Sequence, residues 1–360
     1  MDENNTTTGN TGEWSELYTL GFLLVNGGAY AADERQNRNE EIFYQVLKII
    51  FDGKSGAEKI TYQADDDTIK IFSNSTEIAN VKIEKLKKIL IKLLEQLSAT
   101  NEGRAYSLDA GSQMMELLRK DVIKAASSDK KDLDLVLLDL KTQQPTPEIG
   151  FSIKSQLGSP STLINASMAT NFTYEILDAN GNVPTEFPEL HDKNVKDNIC
   201  LLLSSGYKIE FINADSEIFS NNLNLIDSNL QDYLAKILLS YYSREANKVS
   251  ELIEINYPET DTNNSNAIHK IKEFLGVMAL GMMPNTSWDG ILTSLGGFLL
   301  VKKDGDVLCY YLYNLKDFYQ YLVNNTKLET PSTTRYGIGR IIENNGRFYI
   351  KLNLQVRFLK

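Results

Sequence analysis

Residues 127 to 158 read SSDKKDLDLVLLDLKTQQPTPEIGFSIKSQLG, and this run constrains the fold more than any other in the chain. A polar turn leads into an apolar strand expected at Leu133 to Leu138. A connection carrying Pro145 and Pro147 follows, and a second strand is expected from Glu148 to Lys154. Side chains alternate across a strand, so Asp132 and Asp134 share one face of the first strand, and Glu148, Ser152 and Lys154 share one face of the second. Pairing of the two strands brings a carboxylate and an ammonium together at the edge of a sheet. A phosphodiester hydrolase needs such groups: hard oxygen ligands for Mg²⁺, and a lysine to orient water or stabilise negative charge. Ordinary charged strand ends have the same pattern, and Glu148, directly after Pro147, reads as a ligand or as a surface carboxylate. Ser152 offers a hydroxyl but no charge, which leaves the site one anion short.

The N-terminal segment can supply that anion. From Glu13, the run EWSELYTLGFLLVNGG places Trp14, Leu17, Leu20 or Gly21, and Leu24 at helical spacing, with Gly27 and Gly28 as the stop. Glu13 and Glu16 share its first turn, where they serve either as ligands, if the helix crosses the sheet, or as favourable charge at a helix N-terminus. Further strands are expected at 41 to 51 and 68 to 72, and helices at 82 to 97 and from Ser112 to Ala126. Beyond them the pattern predicts a short helix at 163 to 172, strands at 173 to 177 and 207 to 212, and a long helix at 223 to 243. A helix near 267 to 280 and strands at 296 to 302 and 306 to 311 follow, and Asn345-Gly346 gives the strongest hairpin signal. No internal repeat is present.

Charge and motifs exclude several functions. The net charge of -11 argues against a chain held to nucleic acid by bulk charge, so any such contact must be local. Two cysteines, Cys200 and Cys309, cannot build a disulfide framework, and residues 1 to 12 lack the basic and apolar parts of a secretory signal. A cytoplasmic protein is expected. His191 and His269 are not in zinc-ligand spacing, and neither a phosphate-binding GxxxxGK[ST] loop nor a GxSxG elbow occurs.

Two segments suit DNA. Residues 154 to 172, KSQLGSPSTLINASMATNF, concentrate small hydrogen-bonding groups beside a lysine; Ser155, Gln156, Ser159, Ser161, Thr162, Asn165 and Asn171 are the candidates for phosphate or base contacts, against the alternative of a plain loop. Arg335, Arg340, Arg347 and Arg357 fall within the last 26 residues and make the best local basic patch.

Four segments in consistent order, GEWSELY at 12 to 18, KAASSDKKDLDL at 124 to 135, GFSIKSQLGSPSTLINASMATNF at 150 to 172 and TPSTTRYGIGRIIENNGRFYIKLNLQVRF at 330 to 358, resemble the HpaII-type type II restriction endonucleases. The resemblance implies the PD-(D/E)xK nuclease superfamily. Its fold is α/β (α+β), a central mixed sheet flanked by helices, here with additional C-terminal helical and β-hairpin elements. The organisation expected is a flexible tail at 1 to 12, a nuclease catalytic region at 13 to 200, and a region at 201 to 360 contributing to DNA recognition. The activity implied is Mg²⁺-dependent hydrolysis of double-stranded DNA at a short palindrome, CCGG for the namesake and cut after the first C, leaving 5′-phosphates. A cognate DNA cytosine methyltransferase would protect the host.

By the same resemblance, Asp132 is the metal-binding aspartate and Lys154 the superfamily lysine, with Ser152 where that superfamily usually has Glu or Asp. Glu16 or Glu13 is the preferred substitute carboxylate, Glu148 the next, and Asp134 the fallback for Asp132; the Ile153 backbone carbonyl completes the metal set. Arg335, Arg340 and Arg347 are candidates to read guanine. A palindrome fits a homodimer with one active site per strand, the alternative being a monomer that nicks each strand in turn. A non-catalytic sequence-specific DNA-binding protein or effector module is the competing function.

Overall fold

A computed structural model of the chain describes residues 7–52, 58–100, 105–123, 131–158, 160–190, 194–292, 296–311 and 315–359. The elements run α1 (Thr11–Asn26), β1 (Gly28–Ala32), β2 (Arg38–Asp52), β3 (Lys59–Asp65), β4 (Thr68–Ser73), β5 (Thr76–Lys82), α2 (Ile83–Ala99), α3 (Asp109–Leu117), β6 (Leu133–Leu137) and β7 (Ile149–Ser155). Then come β8 (Thr162–Ile164), β9 (Asn171–Leu177), α4 (Val195–Ser204), β10 (Lys208–Ala214), α5 (Glu217–Ile226), α6 (Leu230–Tyr242), α7 (Val249–Asn256) and α8 (Ser265–Ala279). The last are β11 (Gly297–Val301), β12 (Val307–Tyr311), α9 (Leu315–Asn324), β13 (Thr326–Leu328), α10 (Thr333–Tyr336), β14 (Ile341–Asn344), β15 (Arg347–Asn353) and β16 (Val356–Phe358).

The chain forms two compact units. The first comprises residues 1–161, 293–318 and 360, and the second 162–292 and 319–359. The division thus falls at 161/162, and the chain returns to the first unit with β11 and β12 because β11 pairs in parallel with β7.

In the first unit nine strands run β1-β12-β11-β7-β6-β2-β3-β4-β5, and β1 pairs with β2 as well. The long β2 makes this possible: its first half pairs with β1 and its second half with β6 and β3, with a register shift between Val46 and Lys48. β6 and β7 therefore lie inside a hydrogen-bonded circuit, with β2 on one side and β11 on the other. The edge position expected from the sequence is corrected accordingly.

One face of this sheet is covered by α1, α2 and α3. Leu86, Ile89, Leu90, Leu93 and Leu97 form a single buried stripe on α2, the spacing of an amphipathic helix. On α1, Trp14, Leu17 and Leu20 are wholly buried, each contributing about 1.5–3 kcal/mol of apolar transfer. α3 packs closely on α1 because Gly111 has no side chain; a Cβ there would come within 2.3 Å of the Trp14 ring. α3 ends earlier than the sequence suggests, at Leu117, where the Leu118 and Lys120 amides bond to the Met114 and Met115 carbonyls and Arg119 turns left-handed (φ 54°).

In the second unit β10-β9-β15-β14 form one sheet and β13-β16-β8 another. Phe172, Tyr174, Ile176, Ile350 and Leu352 are buried on one face of the larger sheet, next to α5 and α6. The Asn345-Gly346 hairpin is present between β14 and β15, both residues at positive φ (53° and 72°), as a tight two-residue turn requires. Two expectations are corrected. The helix of 223 to 243 is two helices, because Asp227 is extended and its carboxylate accepts from the Asn229 amide, which ends α5 before α6 begins. The helix of 163 to 172 is instead β8 and a single 3₁₀ turn, Met168–Thr170, because Ile164 pairs with Val356.

Among the described residues no helix is long and apolar enough to cross a membrane.

Candidate active site

The site is built on the β6–β7 pair. Leu133 lies opposite Phe151, and both enter the core beneath α1 to α3. Strand alternation therefore sends Ser152 and Lys154 to the other face, beside Phe298, whose ring lies 5.2 Å from the Lys154 ammonium. Asp132, just before β6, is locked to β7 at both ends: its amide donates to the Phe151 carbonyl (2.8 Å), and its Oδ2 accepts from the Ile153 amide (2.5 Å) and the Ser152 hydroxyl (3.1 Å).

Burial pushes the Asp132 carboxyl above its ordinary range, opposed by the Ile153 amide, the Lys154 charge and the Ser152 hydroxyl. Burial pushes the Lys154 ammonium down, opposed by the charges of Asp132 and Glu16. A half-buried acid and base that each favour the other's charge, with both charged groups partly desolvated, are a signature of functional sites.

α1 brings Glu16 to this pair. Ser15 donates to Ser155 Oγ (2.8 Å), so the residue before Glu16 is tied to the residue after Lys154. One carboxylate oxygen of Glu16, Oε2, is buried. Its charge also acts on Lys120, a second lysine that the sequence reading did not single out. Lys120 is 8% exposed, and its ammonium sits 3.6 Å from the centre of the Phe51 ring. Only its place three residues before the buried Ile123 hints at this in the sequence.

The other candidates are placed differently. Glu13 closes a capping box at the start of α1, accepting from the Asn10 amide (2.9 Å) while Asn10 Oδ1 accepts from its own amide (3.0 Å). Asp134 is paired with Lys131 (2.6 Å). Glu148 is exposed at the far end of β7 and paired with Lys59 (3.1 Å). Ser155 accepts from Ser15 and from the Leu157 amide, and Gln156 bonds to Gln36 in the β1–β2 turn. Ser161 ends the first stretch of this unit half-buried, and Ser159 lies outside the described residues.

Thr162, Asn165, Asn171, Arg335, Arg340 and Arg347 belong to the second unit. Asn165, Arg335 and Arg340 are exposed, and Thr162 is half-buried on β8, opposite Arg357. Asn171 is wholly buried, donating to the Tyr336 carbonyl (3.0 Å) and accepting from Asn353 (2.7 Å). Arg347 grips both oxygens of the buried Glu175, at 3.0 and 3.1 Å.

Among the described residues no group of three or more His, Cys, Asp and Glu side chains is arranged to hold a metal. The donors near Lys154 are oxygens: the carboxylates of Asp132 and Glu16, the Ser152 hydroxyl and the backbone of β7. Such a set suits a hard cation that takes one or two carboxylates and keeps most of its water, as Mg²⁺ does, and does not suit zinc.

A sequence profile of the HpaII restriction endonuclease family matches residues 10–358. The type II restriction enzyme HpaII of Haemophilus parainfluenzae is 38% identical over 359 residues, covering 98% of this chain and 99% of that enzyme. No solved structure matches. Both matches span the strand pair with Asp132 and Lys154, the helix with Glu16 and the terminal hairpin, and the chain belongs to the HpaII restriction endonuclease family, a family of type II site-specific deoxyribonucleases.

Proposed function

We propose that this endonuclease hydrolyses phosphodiester bonds of double-stranded DNA at CCGG, cutting after the first C and leaving 5′-phosphates, with Mg²⁺ as cofactor. The observation that carries the reading is the half-buried Asp132–Lys154 pair at adjacent strands, with Asp132 held by the Ser152 hydroxyl and the Ile153 amide. The site itself is assigned to Asp132, Lys154 and Glu16, with Ser152 and Ile153 holding Asp132 in place. Asp132 and Glu16, with the Ile153 carbonyl, would hold Mg²⁺, which when bound supplies positive charge against the scissile phosphate.

The chain's own groups do the rest. Lys154, partly desolvated beside Phe298, presents its ammonium to the attacking water or to the charge that builds on the phosphate. Asp132 keeps Lys154 charged, and the Ile153 amide and Ser152 hydroxyl keep Asp132 ionised and oriented. The exposed Arg335 and Arg340 are the better candidates for guanine contacts, because Arg347 is already engaged with Glu175. A homodimer on the palindrome and a cognate cytosine methyltransferase belong to the same reading.

Incubation of the purified protein with unmethylated plasmid in Mg²⁺ and in EDTA, with the fragment ends sequenced, tests it. Discrete Mg²⁺-dependent fragments ending at CCGG are expected. Fragments ending at another sequence overturn the site assignment, and intact DNA in Mg²⁺ overturns the catalytic assignment.

A further inference from the structure

The turn between β1 and β2 does not stay beside its own strands. β12 and β11 lie between β1 and β7 in the sheet, yet the Gln36 side chain of this turn is hydrogen-bonded to that of Gln156, the second residue after Lys154. On the way, the Tyr310 hydroxyl of β12 donates to the Asp33 carbonyl (2.8 Å). Both tethers stand on the face that carries Ser152 and Lys154. Register puts Tyr310 opposite Phe298 and Phe298 opposite Ser152, and Gln156 continues the alternation of Ser152 and Lys154. The turn therefore lies against the sheet face beside Lys154. A register shift bends the hairpin: Tyr30 pairs with Phe43 but Ala31 with Asn39, so residues 40–42 fall between consecutive partners.

The turn is held more firmly than a connection needs. The Asp33 carboxylate accepts from the Arg35 and Asn37 amides (2.8 Å each) and from the Asn37 side chain (3.0 Å), and the Gln36 amide donates to the Asp33 carbonyl (3.1 Å). Gln36 has φ 64°, a left-handed conformation that glycine adopts freely and that strains a residue with a side chain. Glycine would serve the turn; glutamine adds the amide that reaches Gln156. The residue fixed just before it is Arg35. Its side chain is 78% exposed, and Glu34 lies 3.9 Å away, at the outer edge of an ion pair, so a phosphate can take over the guanidinium at little cost. Arg38 is engaged instead, on the Tyr30 ring (4.8 Å) and with Asp306 (2.8 Å).

We infer that the β1–β2 turn is a DNA-backbone contact of the cleavage site: Arg35 binds a phosphate flanking the scissile one, and the Gln36–Gln156 pair is the positioning contact that sets it there. The inference rests on the reading of Asp132 and Lys154 as the cleavage centre. A chain of net charge -11 needs its DNA contacts to be local, and a guanidinium on a fixed backbone is well suited to phosphate.

The test uses the full-length protein with Arg35→Ala, Arg35→Lys, Gln36→Gly, Gln156→Ala, Lys154→Ala and the double variant Arg35→Ala/Gln36→Gly. Affinity for a short duplex with CCGG and for one without it is titrated in Ca²⁺ across a range of salt. Arg35→Ala should weaken both duplexes by about the same factor and make the slope of log affinity against log salt shallower by about 1, with the melting temperature unchanged. Arg35→Lys should restore the slope. Gln36→Gly and Gln156→Ala should each lose part of it although the arginine is present, and Gln36→Gly should lose nothing further in the Arg35→Ala background. Single neutral methylphosphonates around the cut locate the contact: the substitution that weakens the native protein but not Arg35→Ala should flank the scissile phosphate.

A native salt slope in Arg35→Ala, beside a Lys154→Ala that no longer cleaves plasmid in Mg²⁺, overturns the inference and leaves the cleavage centre standing. Native cleavage by Lys154→Ala removes that centre and this inference with it. A methylphosphonate position remote from the cut also overturns it. Native slopes in both Gln36→Gly and Gln156→Ala overturn the positioning role. Should Gln36→Gly melt early, Gln156→Ala decides, since it leaves the backbone of the turn untouched: a native slope overturns that role, and a shallower one supports it.

Discussion

Ser152 donates its hydroxyl proton to Asp132 Oδ2 across the β6–β7 pair, at 3.1 Å, on the oxygen that also accepts from the Ile153 amide. A carboxylate at residue 152 would repel Asp132 unless a cation lay between them, whereas a hydroxyl supports the anion with no cation present. In the proposed site Ser152 is thus a donor to Asp132 and not a ligand. Ser152→Ala should leave the fold intact and cost about 1 kcal/mol of support to the Asp132 anion. Because the Ser152 hydrogen bond lowers the Asp132 pKa, its loss should move the acid limb of the cleavage rate to higher pH. A pH profile of single-turnover cleavage checks the direction.

Asp132→Asn keeps the shape and loses the charge that Lys154 faces. The expected result is a loss of cleavage of at least about a hundredfold, with the cooperative melt retained, since a positioned charge or metal ligand is worth several kcal/mol in the transition state. Lys154→Ala should abolish cleavage while sparing specific binding in a gel-shift titration in Ca²⁺. Loss of both would assign Lys154 to the fold.

Much of this was legible in sequence because period and punctuation carried it. The apolar runs on both sides of the Pro145–Pro147 connection gave the β6–β7 pair, the Leu and Ile spacing gave α2, and Asn345-Gly346 gave its hairpin. What escaped depends on long-range pairing. The interior place of β6 and β7 is set by β11, which joins β7 from residues 297–301, about 140 positions later in the chain, and no local pattern announces it. Lys120 escaped for the same reason: a lysine beside a helix end is normally solvated, and only the Phe51 ring of β2 and the Glu16 charge of α1 make it a buried one. Asn171 reads as a DNA-facing amide in sequence, yet the β9–β15 pairing turns it inward to Asn353.

That inward turn sets the expected phenotype at Asn171 and Asn353. Asn353 is wholly buried and donates to the Ser167 carbonyl (2.8 Å), Thr170 Oγ1 (3.1 Å) and Asn171 Oδ1 (2.7 Å). Asn353→Ala takes the donor from Asn171 Oδ1, while the Ser167 carbonyl still accepts from Thr170 and Thr170 Oγ1 from the Ser167 amide, and should cost roughly 1–3 kcal/mol in urea unfolding. Asn171→Ala should likewise lower stability without changing which base pairs are preferred, and a relaxed cleavage specificity at unchanged stability would contradict this.

Arg347 and the exposed arginines should separate in the same way. The Glu175 side chain is 8% exposed, and removing its bidentate partner by Arg347→Ala leaves a buried carboxylate without that cation. A fully buried pair broken in this way costs about 3–5 kcal/mol, and the 58% exposure of Arg347 reduces the expectation to roughly 1–3 kcal/mol. Arg335→Ala and Arg340→Ala should be near neutral in stability and should weaken DNA binding. Of the two, a base reader loses discrimination at one position, and a phosphate contact weakens all sequences about equally.

Lys120 gives a pH dependence whose sign is fixed. Burial pushes its ammonium from the ordinary 10.5 down to about 8, with Glu16 opposing. The unfolded chain therefore binds more protons than the folded one between about 8 and 10.5, and over that window this residue makes the protein more stable as pH rises. Below pH 8 the full penalty is present, of the order of 3 kcal/mol for a shift of this size. Lys120→Met should accordingly be more stable than the native protein at pH 7, and the advantage should shrink as pH rises from about 8 and vanish above 10.5. Urea unfolding of both proteins at pH 7, 9 and 10.5 measures the difference directly, and the other titrating groups cancel between them. An advantage constant with pH would mean that Lys120 binds its proton equally in the folded and the unfolded chain, and would overturn the burial-driven shift.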